Sequence, residues 1–215
     1  MIHRKKFKRV VPDEIKISDL TIENVTCGTT KCNDGYHCYS QRKTSLRKHG
    51  NERVCKECGA DLIDWKRVHK NNLKDTKFVF TELKTEIIRH VFWHTPIEEE
   101  AIIKVLTHGR KKTIARAKKF IKSRIGKHTA WDGRQTPMGK DEMINYAQHA
   151  TATCCRKCLE AWHNIKLETQ LQDEQIEFCA GLVMKYIDER IPQLKDDGIS
   201  IEDAKKIIAN EDDKH

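Results

Sequence analysis

Arg110-Lys111-Lys112-Thr113-Ile114-Ala115-Arg116-Ala117-Lys118-Lys119-Phe120-Ile121-Lys122-Ser123-Arg124-Ile125 is the stretch whose reading sets the fold class. Ile114, Ala117, Ile121 and Ile125 recur at helical spacing on one face, and the cations fill the others. On its N-terminal side, Gly109 closes a preceding helix. Thr95-Pro96-Ile97-Glu98 reads as the capping box of that helix, with proline at the first helical position. Further back, from about residue 75, Leu83, Ile87 and Val91 repeat at helical spacing, flanked by Phe78, Phe80, Ile88 and Phe92. On its C-terminal side, residues 126–141 are too rich in Gly and Pro for a helix. Helical pattern resumes over 154–165, with Thr153 as N-cap. A longer amphipathic helix over 173–191 aligns Ile176, Cys179, Val183, Ile187 and Ile191, with Asp173 as cap, and Ser200 caps a short terminal helix.

The fold expected is mainly α: a helical domain preceded by a small zinc-ribbon-like module. Residues 1–26 read as a basic tail and extended segment, 27–74 as the module, and 75–192 as the helical domain. Residues 193–215 read as a short helix and polar tail. The module has five cysteines and few large apolar residues, so its core is small and a metal is the expected staple.

Composition narrows the class. The 215 residues include 41 Lys+Arg against 32 Asp+Glu, a formal net charge of +9. No stretch approaches the ~18 apolar residues of a membrane span. The basic N-terminus is not followed by the apolar run of a secretory signal, so a cytoplasmic, reducing location is expected. There, cysteines in short spacings point to metal ligands or redox thiols rather than disulfides.

Cys27-x4-Cys32, followed at a distance by Cys55-x2-Cys58-Gly59, has the form of a zinc ribbon, in which two turns each present two thiolates. Gly59 suits the tight turn of a zinc knuckle. In the first half, His37 or Cys38 can replace Cys27 or Cys32, and His69 is a remoter candidate. Four protein ligands would make this zinc a structural ion.

Residues 146–163 pack His149, Cys154, Cys155, Cys158 and His163 into a short span. One reading is a second zinc held by Cys155, Cys158 and His163, with His149 reaching in from an irregular segment, for one or two ions in all. A second is a redox pair, Cys155-x-x-Cys158, at a helix N-terminus. A third is plain packing of small apolar thiols.

Together with Asp132-Gly133-Arg134-Gln135-Thr136-Pro137-Met138, this segment resembles a family of bacterial domains of unknown function. Its signature is a DGxQTP loop followed by QHATxTCCRxCLxxWH and a closing amphipathic helix. The resemblance covers about residues 85–192, with the ribbon as an extension found in some relatives. It marks Asp132, Gln135, Gln148, His149, Cys154, Cys155, Arg156, Cys158, Trp162 and His163 as motif positions, and it implies no settled activity. Asp132 and His149 are the candidate catalytic groups, although no HExxH, Walker loop or zinc-deaminase pattern is present.

The charge is unevenly distributed. Residues 160–215 hold 14 acidic and 7 basic residues, so residues 1–159 carry +16, and no acid lies between Glu100 and Asp132. Arg110, Lys111, Lys112, Arg116, Lys118, Lys119, Lys122 and Arg124, with Arg134, are the candidate nucleic-acid contacts. The rival is a helix docked on the chain's own acidic C-terminal helices. The function expected is a zinc protein that binds nucleic acid through this helix. The alternatives are a zinc-dependent enzyme acting on a nucleic-acid base, nucleotide or phosphodiester, and a thiol-based redox regulator.

Overall fold

The computed structural model describes residues 7, 9, 20–127, 135–139 and 142–212. Among these the chain is mainly helical: α1 (Arg42–His49), α2 (Trp65–Val68), α3 (Thr76–Leu83), α4 (Ile87–His94), α5 (Glu99–Ile125), α6 (Met143–Ala150), α7 (Arg156–His163), α8 (Asp173–Arg190) and α9 (Ile201–Asp212). The β pairing among the described residues is confined to isolated bridges, Lys31 with Tyr36 and His37 with Glu86. The chain divides into two compact units. Unit 1 comprises Met1–Thr95 with Arg156–Leu167, and unit 2 comprises Pro96–Cys155 with Glu168–His215. A boundary near 74–75, as composition suggests, falls inside unit 1.

In unit 1, α7 packs against α2. The Trp65 and Trp162 rings lie 5.2 Å apart, and Tyr39 meets both edge-on at 5.7 and 6.1 Å. Beside them Glu86, 1% exposed, accepts hydrogen bonds from the Tyr39 N–H (2.6 Å), the Ser40 N–H (2.8 Å) and hydroxyl, and Trp162 Nε1 (3.0 Å). Arg89, fully buried, donates to Glu86 at 3.3 Å and to Cys158 Sγ at 2.9 Å. Burial pushes the Glu86 carboxyl up, against the pull of Arg89 and the two backbone N–H groups.

In unit 2, α8 packs against α5 and α6, and α9 against α5. The face read from sequence on α8 is the buried one: Ile176, Cys179, Val183 and Ile187 are all buried. α5 is broken where the sequence closes a helix, at Gly109, with φ 70° and ψ 170°. The freed N–H groups of Arg110 and Lys111 donate to the carbonyls of Lys195 and Asp196 at 2.8 and 3.1 Å. A Cβ on Gly109 would sit 2.4 Å from the Asp197 carbonyl carbon, so the kink and the 195–199 segment fit only around a glycine.

Several helix ends differ from the sequence reading. Thr95 does not cap α5; it ends α4, its N–H donating to Val91 O at 2.8 Å. Pro96 holds the preceding residue extended (Thr95 ψ 138°), and α5 starts only at Glu99. α7 starts at Arg156, because Thr153 joins a buried turn, its N–H donating to Gln148 O and its carbonyl accepting from Gln148 Nε2, both at 2.9 Å. In α8 the cap is Gln172, in a reciprocal box with Gln175, and Asp173 is the first helical residue. The Ser200 cap is present, with its hydroxyl accepting from Asp203 N–H at 3.1 Å.

α6 is absent from the sequence reading, which left His149 on irregular chain. All eight of its residues are buried. Its polar residues Asn145, Gln148 and His149 are buried with the apolar ones and bond to protein groups, so no water-facing side marks it out.

Candidate metal centre

Two tight turns of unit 1 build the centre. In the second, the Cys55 N–H donates to Ala60 O at 2.9 Å, and the Gly59 N–H returns to Cys55 O at 3.0 Å. Gly59 adopts φ 74°, the left-handed conformation such a turn needs. The first turn has the same construction. Lys31 and Tyr36 exchange two backbone hydrogen bonds of 3.1 Å around a short 3-10 turn at Cys32–Asp34, and Gly35, with φ 91°, donates to Cys32 O.

The first turn places Cys32 at its start and His37 just past its end. The ligand atoms of Cys32, His37, Cys55 and Cys58 all lie within 4.8 Å of one another. Cys32 Sγ is 3.8 Å from Cys55 Sγ, and Cys58 Sγ is 3.4 Å from His37 Nδ1. The sulfur separation is far beyond an S–S bond of ~2.05 Å, and none of the nine cysteines forms a disulfide. Cys27 is outside this group, and its place is taken by His37. Cys27 instead offers its backbone carbonyl to the buried Cys38 thiol at 2.9 Å.

The electrostatics suit a cation. Burial, then the neighbouring Cys55 and Cys58, push the Cys32 thiol well up. Burial also pushes Cys55 up, but His37 and the backbone N–H groups of Cys58, Cys38 and Glu57 outweigh it and hold that thiol down at about 6. Backbone N–H groups aimed at sulfur are the knuckle feature that the Cys-x-x-Cys-Gly spacing implies. Three thiols crowded on one imidazole repel one another as thiolates, and a bound cation removes that repulsion.

Cys154, Cys155 and Cys158, within five residues of chain, are a second group whose sulfurs lie within 4.8 Å of one another. The expected ligands His149 and His163 are not in that group. His149 sits on α6, fully buried, with Nε2 at 2.9 Å from Thr136 O and 3.2 Å from Pro137 O, where it acts as a donor. His163 ends α7, and its carbonyl accepts from Asn71 Nδ2 at 2.9 Å. Asp132 and Arg134 lie outside the described residues. Of the other motif positions, Gln148 bridges Thr136 and Thr153, and Arg156 Nε donates to Leu167 O at 3.3 Å.

The structure sorts the basic helix into four strips. Thr113, Ala117, Ile121 and Ile125 are buried, with Thr113 in place of the expected Ile114. On one flank Arg110 pairs with Asp188 and Asp196, Lys111 with Asp197, Lys118 with Glu177, and Lys122 with Asp173. On the other flank Arg116 pairs with Glu142, and Arg124 donates to Asn145. Lys112 and Lys119, a multiple of the helical repeat apart, are exposed opposite the buried strip.

Fold and centre together define a mainly helical protein with a Cys/His module able to hold a metal ion. The chain belongs to the family described as Domain of unknown function (DUF4186), whose model matches residues 77–188, just over half of the chain. No solved structure matches it. Among the described residues, no helix is long and apolar enough to cross a membrane.

Proposed function

We propose that this is a zinc protein in which Zn²⁺, held by Cys32, His37, Cys55 and Cys58, staples the N-terminal part of unit 1. The carrying observation is the donor geometry. A tetrahedral zinc with bonds of ~2.3 Å to sulfur and ~2.0 Å to nitrogen has S···S edges of about 3.8 Å and S···N edges of about 3.5 Å. The separations of 3.8 and 3.4 Å match both. Four protein donors fill a tetrahedron and leave no position for water or substrate, which favours a structural ion over a catalytic one. His149, the candidate base, spends Nε2 on loop carbonyls, which favours a structural role for it as well. Elemental analysis tests the zinc: the Cys32→Ser, Cys55→Ser double variant should carry one ion fewer per chain than the parent. Equal zinc content would overturn the assignment.

A second reading, nucleic-acid binding by α5, is favoured by one observation. Lys112 and Lys119 are exposed on the face away from the core, in a stretch without acidic residues. Binding to single- or double-stranded oligonucleotide at low salt should weaken steeply as salt rises, and should weaken again in Lys112→Glu, Lys119→Glu. No binding at low salt, or binding that ignores the charge reversal, rejects it.

A further inference from the structure

We propose that the flank of α5 carrying Arg116, Phe120 and Arg124 is a binding site for a phosphate group, completed by Lys104 and framed by Glu142 and Asn145. The three residues on α5 stand four apart, so they form one row. The Arg124 guanidinium carbon lies 3.9 Å from the Phe120 ring centroid, and that of Arg116 lies 5.1 Å from it. Glu142, 6% exposed, accepts from Arg116 at 2.7 Å and Lys104 at 3.1 Å, both through Oε2. Arg124 is left with a neutral partner, donating at 2.7 Å to Asn145 Oδ1, whose Nδ2 donates in turn to Gly139 O at 3.1 Å. Among the described residues, three cations therefore share the field of one carboxylate.

Two observations say the arrangement is incomplete. Arg116 Nε is a buried donor with no partner among the described residues. Such donors are rare in folded proteins, and leaving one unmet is unfavourable. Arg124 is half-buried, and no carboxylate among the described residues pairs with it directly. Burial pushes its guanidinium down, Glu142 pulls it back, and Arg116 pushes it down again. His108 is also held down by burial and then by Arg116, which keeps the imidazole from adding to the charge. A guanidinium stacked on an aromatic ring is already ordered, so it loses little freedom on forming two parallel hydrogen bonds to a phosphate. An anion between the two arginines would meet the orphan donor and balance the excess charge.

The site deepens the nucleic-acid reading by giving it a phosphate subsite, and rests on that reading only for the source of the phosphate. Inorganic pyrophosphate, titrated into the full chain by calorimetry, should bind. Arg124→Gln should weaken that binding at least about tenfold, whereas Lys112→Glu, Lys119→Glu should change it less than about twofold. Pyrophosphate should also protect Arg124 of the unaltered chain from phenylglyoxal, a readout that needs no variant to fold. Absence of pyrophosphate binding, or Arg124 modified at the same rate with and without it, overturns the site. Oligonucleotide binding then separates the sources. Its loss in Arg124→Gln assigns the phosphate to a polynucleotide backbone. Oligonucleotide binding that survives Arg124→Gln assigns the phosphate to a small phosphorylated molecule. Pyrophosphate binding by a parent chain that ignores oligonucleotide keeps the phosphate site and rejects the nucleic-acid reading.

Discussion

Gly109 holds a backbone conformation, φ 70° and ψ 170°, that side chains with a Cβ essentially never adopt. The clash with the Asp197 backbone adds to that strain. Gly109→Ala should destabilise unit 2 by roughly 1–3 kcal/mol or more, read as a lower denaturation midpoint; an unchanged midpoint would show that the kink relaxes freely. Glu86 is the corresponding residue of unit 1. Its removal would take from the buried Arg89 the carboxylate that balances its charge, and strip the Tyr39, Ser40 and Trp162 donors of their acceptor. Glu86→Ala should therefore cost about 3–5 kcal/mol in chemical denaturation, and a loss under about 1 kcal/mol would mean water replaces the carboxylate. His37 was legible only as an alternative. Its spacing after Cys32 resembles a cysteine pair less than Cys27 does, and the signal that favours it is Gly35, which mirrors Gly59 in closing its turn. Glu86 and Arg89 gave no sign in sequence, because a charged residue at helical spacing reads as solvent-facing until its partners are placed.

At the scale of elements, legibility followed length and exposure to water. α5, α8 and α9 each have one apolar strip and one polar face, and the sequence pattern located them. α6 has only eight residues and buries its polar positions with its apolar ones, while α4, read from Ile87 and Val91, also buries Arg89 and His90. Helix starts were the weakest part, since a proline or a buried turn shifts an end without altering the periodicity. Residues 20–60 contain one α-helix of eight residues and the two turns that carry the Cys/His group. So little regular structure cannot hold itself, and the proposed zinc should carry much of its order. Chelation should raise amide hydrogen exchange across residues 31–60 while leaving α8 protected. Equal exchange in both, with and without chelator, would show that the turns stand without metal.

For the whole molecule, charge is used inwardly as well as outwardly. Cations of the +16 stretch and acids of the −7 stretch meet inside unit 2, where Asp173, Glu177, Asp188, Asp196 and Asp197 take up four α5 cations. Exposed pairs of this kind contribute little each, ~0–1 kcal/mol, so charge reversal at Lys118 or Lys122 should shift the melting temperature only slightly. A large loss would show that these pairs act as a network. Composition disclosed the polarity of the chain, but not which cations the acids would occupy, since that depends on helix phase and packing. The matched span of residues 77–188 likewise draws on both compact units, because 156–167 returns to the first.

That return has a consequence for the order of synthesis. The four metal donors are complete once Cys58 has left the ribosome, whereas Trp162, which closes over Tyr39 and Trp65, arrives much later. On the zinc reading, the nascent chain can in that interval bind the proposed ion while its aromatic surface is still uncovered, the stage at which a growing chain is most open to chaperones and to misassembly. Zinc supplied during translation, rather than after release, should therefore raise the yield of folded protein.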